Sequence, residues 1–380
     1  MAQPVARPTY ESGIPLGRIL GIPIYLHISW FIIFLLITLS LATQFTTQHP
    51  GWTREQHWIL GLVTSVLFFA SVVFHELSHS VVAKHYKIPV QSITLFVFGG
   101  LSRIARDPAD AKQEFTVAIA GPLSSLFLAG CFWLIWRYAA AGEMVHAAAG
   151  WLWEINLALA LFNLVPGFPL DGGRVLRGLA WGVTGNFTRA TRIASNAGKF
   201  FAYLMIAVGV WQALNGNWVG GLWLAFIGWF LLSAAQESYA HVAIRNMLAG
   251  VRAEDIMTTE VPTVPRDMSI EEYVQEVLRT GRRCHVVLGG DKPVGLVTLA
   301  AARTEPREEW GNHSVQAVML PTEKIHWAKP EEPALGILQR MQNQDINQMP
   351  VISENHIVGM ISRDTILRVL QTRLQLGHLT

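Results

Sequence analysis

The sequence predicts a polytopic α-helical membrane domain of six transmembrane helices, with a small membrane-associated β-hairpin or sheet, followed by a soluble α/β region of two repeats. Three observations predict it. Only 15% of the 380 residues are Asp, Glu, Lys or Arg, against about 25% in ordinary soluble domains, while 51% are hydrophobic. The deficit of charge lies before residue 240, in uncharged stretches of the ~20 residues that a helix needs to cross a bilayer. Beyond about residue 250 the chain becomes charged and repeats itself. The net charge of +2 says little about partners, and no basic stripe or motif points to nucleic acid. Cys131 and Cys284 are too few for a disulfide framework. The first apolar run is too long for a cleavable signal peptide and lacks a small-residue cleavage pattern.

Residues 1–19 form a polar lead-in with Arg7 and Arg18. No Asp, Glu, Lys or Arg occurs from Ile19 to Thr53, which places span one at about 25–46. Span two, about 58–82, contains seventeen uncharged residues, Trp58 to Phe74, that run into His75-Glu76-Leu77-Ser78-His79. Residues 88–105 are β-branched and aromatic on both sides of Gly99-Gly100 and read as strands meeting at a glycine turn. Bare strand edges are not tolerated against lipid, so this segment is expected in protein or beside a wet cavity. Two readings stay open for it: a surface hairpin at the membrane boundary, or an edge strand that receives an unwound substrate by strand addition.

Residues 107–113 are charged, and span three follows at about 115–136 with Ala120-Gly121-Pro122 inside it. Proline there removes a helix hydrogen bond, and small residues allow close packing. Span four is about 147–165, with Glu154 placed near its start in an interfacial role. Pro166, Gly167 and Pro169 then end the helix and hold an irregular loop at membrane depth, acceptable only around a polar cavity. A helix is expected over Gly172–Val183. The uncharged stretch from Phe200 to Gln236, broken by Asn215-Gly216-Asn217, reads as two spans, about 198–214 and 219–236.

The H-E-x-x-H pattern carries the chemistry. Histidines four residues apart on a helix present both imidazoles from one face. Two imidazoles suit zinc, whose catalytic sites take three protein ligands and keep a position for water. Bound zinc brings the pKa of that water towards ~7, and Glu76 is placed to take its proton as general base. A chance match on an ordinary helix is the bland alternative. Two histidines and a glutamate at membrane depth, where ionisable groups are costly, favour the metal. Asp171 is placed to be the third ligand, or else to cap the helix that follows; the loop itself leaves both readings open.

Positive residues give the orientation. Lys84, Lys87, Arg103, Arg106 and Lys112 follow span two, and Arg174, Arg177, Arg189, Arg192 and Lys199 follow span four. The alternate connections carry only Arg54 and Arg137. Both termini are therefore expected in the cytoplasm, with His75, His79 and Asp171 near the cytoplasmic ends of their spans, in a multi-pass protein of the cell (inner) membrane.

In the tail, Asp255-Ile256-Met257-Thr258 matches Ala317-Val318-Met319-Leu320, and helical patterns cover Ile270–Arg279 and Ala334–Met341. His285–Leu288 matches Met349–Ile352, and Gly295–Thr298 matches Gly359–Ser362. Each unit is a β-α-β-β-α pattern of about 60 residues. The expected division is 1–240 for the membrane domain, 241–250 for a linker, and 251–312 and 313–375 for the two repeats.

On these residues the chain resembles a known family. His75-Glu76-Leu77-Ser78-His79, Asn163 through Asp171-Gly172, and Ala120-Gly121-Pro122 between them resemble the site-2 protease family of intramembrane zinc metalloproteases. Residues 250–373 look like a tandem pair of cystathionine-β-synthase (CBS) domains. The resemblance implies cleavage of a peptide bond within or near a transmembrane helix of a substrate protein. His75, His79 and Asp171 would hold one Zn2+, Glu76 would be the base, and Asn163 would orient substrate or stabilise the oxyanion, unless it only packs or caps a helix. CBS pairs commonly bind ATP, ADP or AMP between the repeats and often associate as homodimers. Ser362 and Asp364 match the positions used for phosphate and ribose. In the first repeat Thr298 is present, but Ala300 stands where the acidic residue would be, which questions one of two sites. A CBS-regulated ion transporter and a catalytically inactive protease-like scaffold are the competing readings. The first expects polar residues through several spans, which the sequence does not display. The second gives no chemical reason to keep Glu76.

Overall fold

The computed structural model describes residues 13–97, 99–104, 108–138, 142–290, 292–354 and 356–375. Contacts divide the chain into two units, Met1–Val242 and Ala243–Thr380. Arg7 and Arg106, and residues 98, 105 and 107 of the stretches 88–105 and 107–113, lie outside the described residues.

The first unit opens with strands β1 (Gly13–Ile19) and β2 (Ile22–His27), joined at Leu20-Gly21, both with positive φ. In β2 every second residue, Ile22, Ile24 and Leu26, is buried, the period-two pattern of a half-buried strand. This corrects two expectations. Residues 25–27 are strand, not the first turn of span one, and the lead-in through Ile19 is partly a strand. Helix α1 (Ile28–Gln48) starts where the His27 imidazole accepts from the Ser29 amide.

Helix α2 (Arg54–His85) is opened by a capping box in which Thr53 and Gln56 satisfy each other's amides. Strands β3 (Val90–Phe96) and β4 (Gly99–Ile104) then complete a four-stranded sheet of order β1-β2-β3-β4. The β2–β3 pairing is parallel, with Ile24 opposite Ile93, and β3–β4 is antiparallel. The hairpin expected over 88–105 is thus half of a larger sheet, and β4 is one of its edges.

Helix α3 (Ala111–Tyr138) runs continuously with Pro122 inside it, and α4 (Glu143–Asn163) follows. Glu154 is exposed in the middle of α4, not near its start, because the helix begins four residues earlier than the apolar run suggested. Helix α5 (Asp171–Thr184) ends at Gly185 in the left-handed region. The expected hairpin of spans is α6 (Phe187–Leu214) and α7 (Trp218–Met247). Among the described residues, six helices, α1 to α4, α6 and α7, are long and apolar enough to cross a membrane. Their outward faces leave large apolar side chains such as Leu35, Val66, Phe127 and Trp223 exposed, as lipid-facing surfaces do. Inside, polar pairs join the spans: Thr38 donates to Ser65 Oγ at 3.0 Å, and Asn156 to Ser71 Oγ at 3.4 Å.

In the second unit the repeat is plain. Helix α8 (Ala253–Ile256), strand β5 (Thr263–Pro265), helix α9 (Ile270–Thr280), strands β6 (Cys284–Gly289) and β7 (Lys292–Thr298) and helix α10 (Leu299–Ala302) make the first copy. Helix α11 (Val315–Val318), strand β8 (Leu320–Pro321), helix α12 (Ala334–Asn343), strands β9 (Gln348–Ser353) and β10 (His356–Ser362) and helix α13 (Arg363–Gln375) make the second. Their lead segments are exchanged. Val251, Ala253 and Ile256 pack with Ile337, Val351 and Ile361 of the second copy, and Val315 packs with Ile270, Val287 and Val297 of the first. Residues 241–250, expected as a linker, are helical to Met247, and Leu248 is buried in the same cluster as Val251.

Candidate metal centre

His75 and His79 lie on one face of α2 and are both buried. Their Nε2 atoms are 3.3 Å apart, and each is 3.1 Å from Asp171 Oδ2. Asp171 is the first residue of α5. The N-cap is Leu170, which makes no side-chain cap bond, so the structure directs the carboxylate to the imidazoles rather than to helix capping. The turn before it is tight: a Cβ on Gly173 would stand 2.4 Å from backbone atoms of Gly167 and Phe168.

Each imidazole is held from behind by α3. His79 Nδ1 donates to the Val117 carbonyl at 2.7 Å. A carbonyl only accepts, so the neutral ring carries its proton on Nδ1 and turns a bare Nε2 toward Asp171. His75 Nδ1 bonds Ser125 Oγ at 2.9 Å. Gly121 of α3 supplies the floor, since a Cβ there would lie 2.1 Å from His79 Nε2 and 2.6 Å from His75 Nε2. Two imidazole nitrogens and one carboxylate oxygen, all electron-pair donors, therefore meet at a point walled by backbone. One carboxylate could neutralise one imidazolium. Two Nε2 atoms aimed at the same oxygen and at each other form a group that could hold a metal ion, and this donor set fits tetrahedral zinc with one position left open.

The donors open into a cavity of about 490 Å³ lined also by Glu76, Asn163, Gly100, Ser102 and Arg174. Glu76 Oε2 accepts a hydrogen bond from Ser102 Oγ of β4 at 2.7 Å. The glycine at 100 lets β4 lie against the Glu76 stem, since a Cβ there would meet Glu76 Cγ at 2.4 Å. Asn163 closes α4 and faces the same cavity; its side chain makes no hydrogen bond among the described residues. All five residues expected at the site thus gather around one space. Ser102, Ser125, Glu114, Arg174 and Arg177 carry no local pattern in the sequence that assigns them to the site. Helical spacing offered one usable signal: Ser125 is four residues past Gly121.

In the second unit, Thr298, Ala300, Ser362 and Asp364 line one cavity of about 590 Å³ together with Arg283 and Arg303. The Thr298 and Ser362 hydroxyls cap the helices that follow, accepting from the Ala301 and Thr365 amides at 3.1 Å. Asp364 is exposed.

The model of Peptidase family M50 matches residues 63–142 and 137–206, and that of the CBS domain matches 253–305 and 315–372. Among relatives, “Putative zinc metalloprotease sll0528” of Synechocystis sp. is 36% identical over 366 residues, 95% of this chain and 96% of that one. “Putative zinc metalloprotease Rip3” of Mycobacterium tuberculosis is 36% identical over 367 residues, 95% and 93% of the two chains. “Zinc metalloprotease MJ0392” of Methanocaldococcus jannaschii is 30% identical over 357 residues, 94% and 96%. A solved site-2 protease from Methanocaldococcus jannaschii, 31% identical, covers 60% of this chain and 95% of its own, with a TM-score of 0.42. Likeness to the first three runs through both units and does not stop at a shared module: the chain belongs to peptidase family M50, as a multi-pass membrane zinc metalloprotease of site-2 protease type followed by a pair of CBS domains.

Proposed function

We propose that His75, His79 and Asp171 hold one Zn2+, that Glu76 is the general base and that Asn163 serves the oxyanion, in an enzyme that cuts a substrate protein within or near a transmembrane helix. The observation that carries this reading is the convergence of the three donors at 3.1–3.3 Å on one wall of the cavity that Glu76 and Asn163 also line. Bound zinc supplies Lewis acidity and makes hydroxide available near neutral pH. Glu76 takes the proton of the attacking water and returns it to the leaving amide nitrogen. Ser102 engages Oε2, which orients the carboxylate and leaves Oε1 for the proton. The Asn163 amide is free to donate to the carbonyl oxygen as negative charge develops there.

A helical substrate keeps its carbonyls hydrogen-bonded and must unwind to be cut. Edge strand β4, whose Gly99–Ser102 stretch borders the cavity, supports strand addition as the way the unwound backbone is held. The bias of Lys84, Lys87, Arg103 and Lys112, from the end of α2 to the start of α3, against Arg54 at the start of α2 and Arg137 at the end of α3, supports cytoplasmic termini and an active site near that side of the cell membrane. Asp171→Asn and His79→Ala are each expected to lower zinc content and abolish cleavage of a transmembrane test substrate, with product masses placing the cut inside its apolar segment. Full zinc in either variant, or a cut only in a soluble loop, would contradict the assignment.

For the second unit the reading is one adenine nucleotide (ATP, ADP or AMP) in the cavity shared by Thr298, Ser362 and Asp364. Arg283 and Arg303 supply positive charge for phosphates and Asp364 an acceptor for ribose hydroxyls. Nucleotide binding there, and pairing of two copies through this unit, would tune cleavage. Tight ATP binding that leaves the cleavage rate unchanged would contradict the regulatory part.

A further inference from the structure

Glu114 sits in the first turn of α3, fully buried, and its Oε1 accepts from Arg174 Nε at 3.1 Å and Arg177 Nη2 at 2.5 Å. Both arginines are on α5, three and six residues beyond Asp171. Arg177 is 9% exposed, and its guanidinium lies 4.9 Å from the Phe168 ring and 4.8 Å from the Phe187 ring. Phe168 belongs to the loop that delivers Asp171. Burying one carboxylate with two guanidinium groups carries a desolvation cost that well-packed apolar residues would avoid, so stability alone is a weak reason for it.

Placement gives a better one. Glu114, Val117, Gly121 and Ser125 follow helical spacing along one side of α3. Val117 holds His79, Ser125 holds His75, and Gly121 is the floor between them. We infer that Glu114, through Arg174 and Arg177, positions Asp171, so that all three metal donors are referenced to a single helix. The histidines are tied to α3 directly. The aspartate, on a separate helix after an irregular loop, is tied to it by the buried charge cluster, with the Phe168–Arg177–Phe187 stack holding the loop against that anchor. Glu114 and Arg177 are positioning residues; neither lines the cavity. The inference rests on the reading of Asp171 as a ligand.

The test is a double-mutant cycle on zinc affinity. Full-length protein in detergent is titrated against a competing chelator as wild type, Glu114→Gln, Asp171→Asn and the double variant, and Co2+ absorption spectra are recorded for each. Glu114→Gln is expected to weaken zinc binding by about 10- to 100-fold, the usual effect of losing a group that orients a ligand. Its Co2+ bands should move toward those of Asp171→Asn. The double variant should bind no more weakly than Asp171→Asn alone, within the roughly twofold scatter of independent sites. Additive losses, or wild-type affinity and spectrum in Glu114→Gln, would overturn the inference. Wild-type zinc affinity in Asp171→Asn would overturn it too, by removing the ligand assignment beneath it, and that result is distinct from additivity. If Glu114→Gln does not fold, Arg177→Lys goes through the same cycle with the same expectations; it keeps the charge and loses the guanidinium fork and the aromatic stack.

Discussion

Replacing Gly121 by alanine adds one methyl group at the point where the two imidazoles meet. Built on the existing backbone, that carbon stands 2.1 Å from His79 Nε2 and 2.6 Å from His75 Nε2, where ordinary contact begins at 3.4 Å. The His79 ring would have to retreat by about 1 Å, yet metal–ligand distances tolerate only about 0.2 Å. The rings have little room to give. His79 is tied at Nδ1 to Val117 and His75 to Ser125, and both are buried, so a shift that breaks either bond leaves a buried polar group unsatisfied at about 1–3 kcal/mol. Misplacement on this scale lowers catalysis by about 100-fold or more. The expected outcome of Gly121→Ala is zinc affinity about 10- to 100-fold weaker, by chelator competition, with cleavage lost and the fold retained. Gly130→Ala is the control on the same helix, because a Cβ there meets nothing within 4 Å; it should behave as wild type. Wild-type zinc affinity and cleavage in Gly121→Ala would refute the geometry assigned to the centre.

Other outcomes follow from the same contacts. Ser125→Ala frees His75 Nδ1 and should weaken zinc by about tenfold or more in the same chelator titration. Ser102→Ala removes the bond to Glu76 and should lower kcat by about tenfold with zinc content unchanged, read from single-turnover cleavage. In the second unit, burial pushes the His285 pKa below 6.5, beyond what Glu276 restores. Folded His285 stays neutral where the unfolded chain takes up a proton, so stability falls as pH drops below about 6.5; hydrogen exchange of the β6 amides should show this, and His285→Gln should flatten the dependence. Burial also pushes the Cys284 thiol up to about 12, so it should resist alkylation at pH 8 in the native protein and react once the chain is unfolded.

How much of this was legible in the sequence depends on the range of the interaction concerned. The spans could be read because lipid demands long uncharged runs, and His75, Glu76 and His79 because their relation is one helical turn. Strand β2 is hidden because the uncharged run from Ile19 to Thr53 carries no mark where strand gives way to helix, and β1 because Pro15 and Gly17 interrupt its pattern at a bulge. The β2 partner, Ile93 opposite Ile24, is also far away in sequence. Asp171 was ambiguous for a local reason: an aspartate before a helix can cap it or begin it, and only the place of α2 decides where the carboxylate points. Ser102, Ser125 and Glu114 act on residues of other elements, so their parts emerge only once helices and sheet are assembled. Glu154 was misplaced along its helix because hydropathy reports the apolar run, whereas α4 already begins at Glu143.

Zinc content and cleavage measured together in wild type and Glu76→Gln test the metal centre and its base most directly. Both proteins are purified without chelator, reconstituted with zinc, placed in lipid and given the same transmembrane substrate. The expected result is one zinc per chain in each protein, with cleavage by the wild type alone. Undiminished cleavage by Glu76→Gln, or a wild type that retains no zinc, would contradict it.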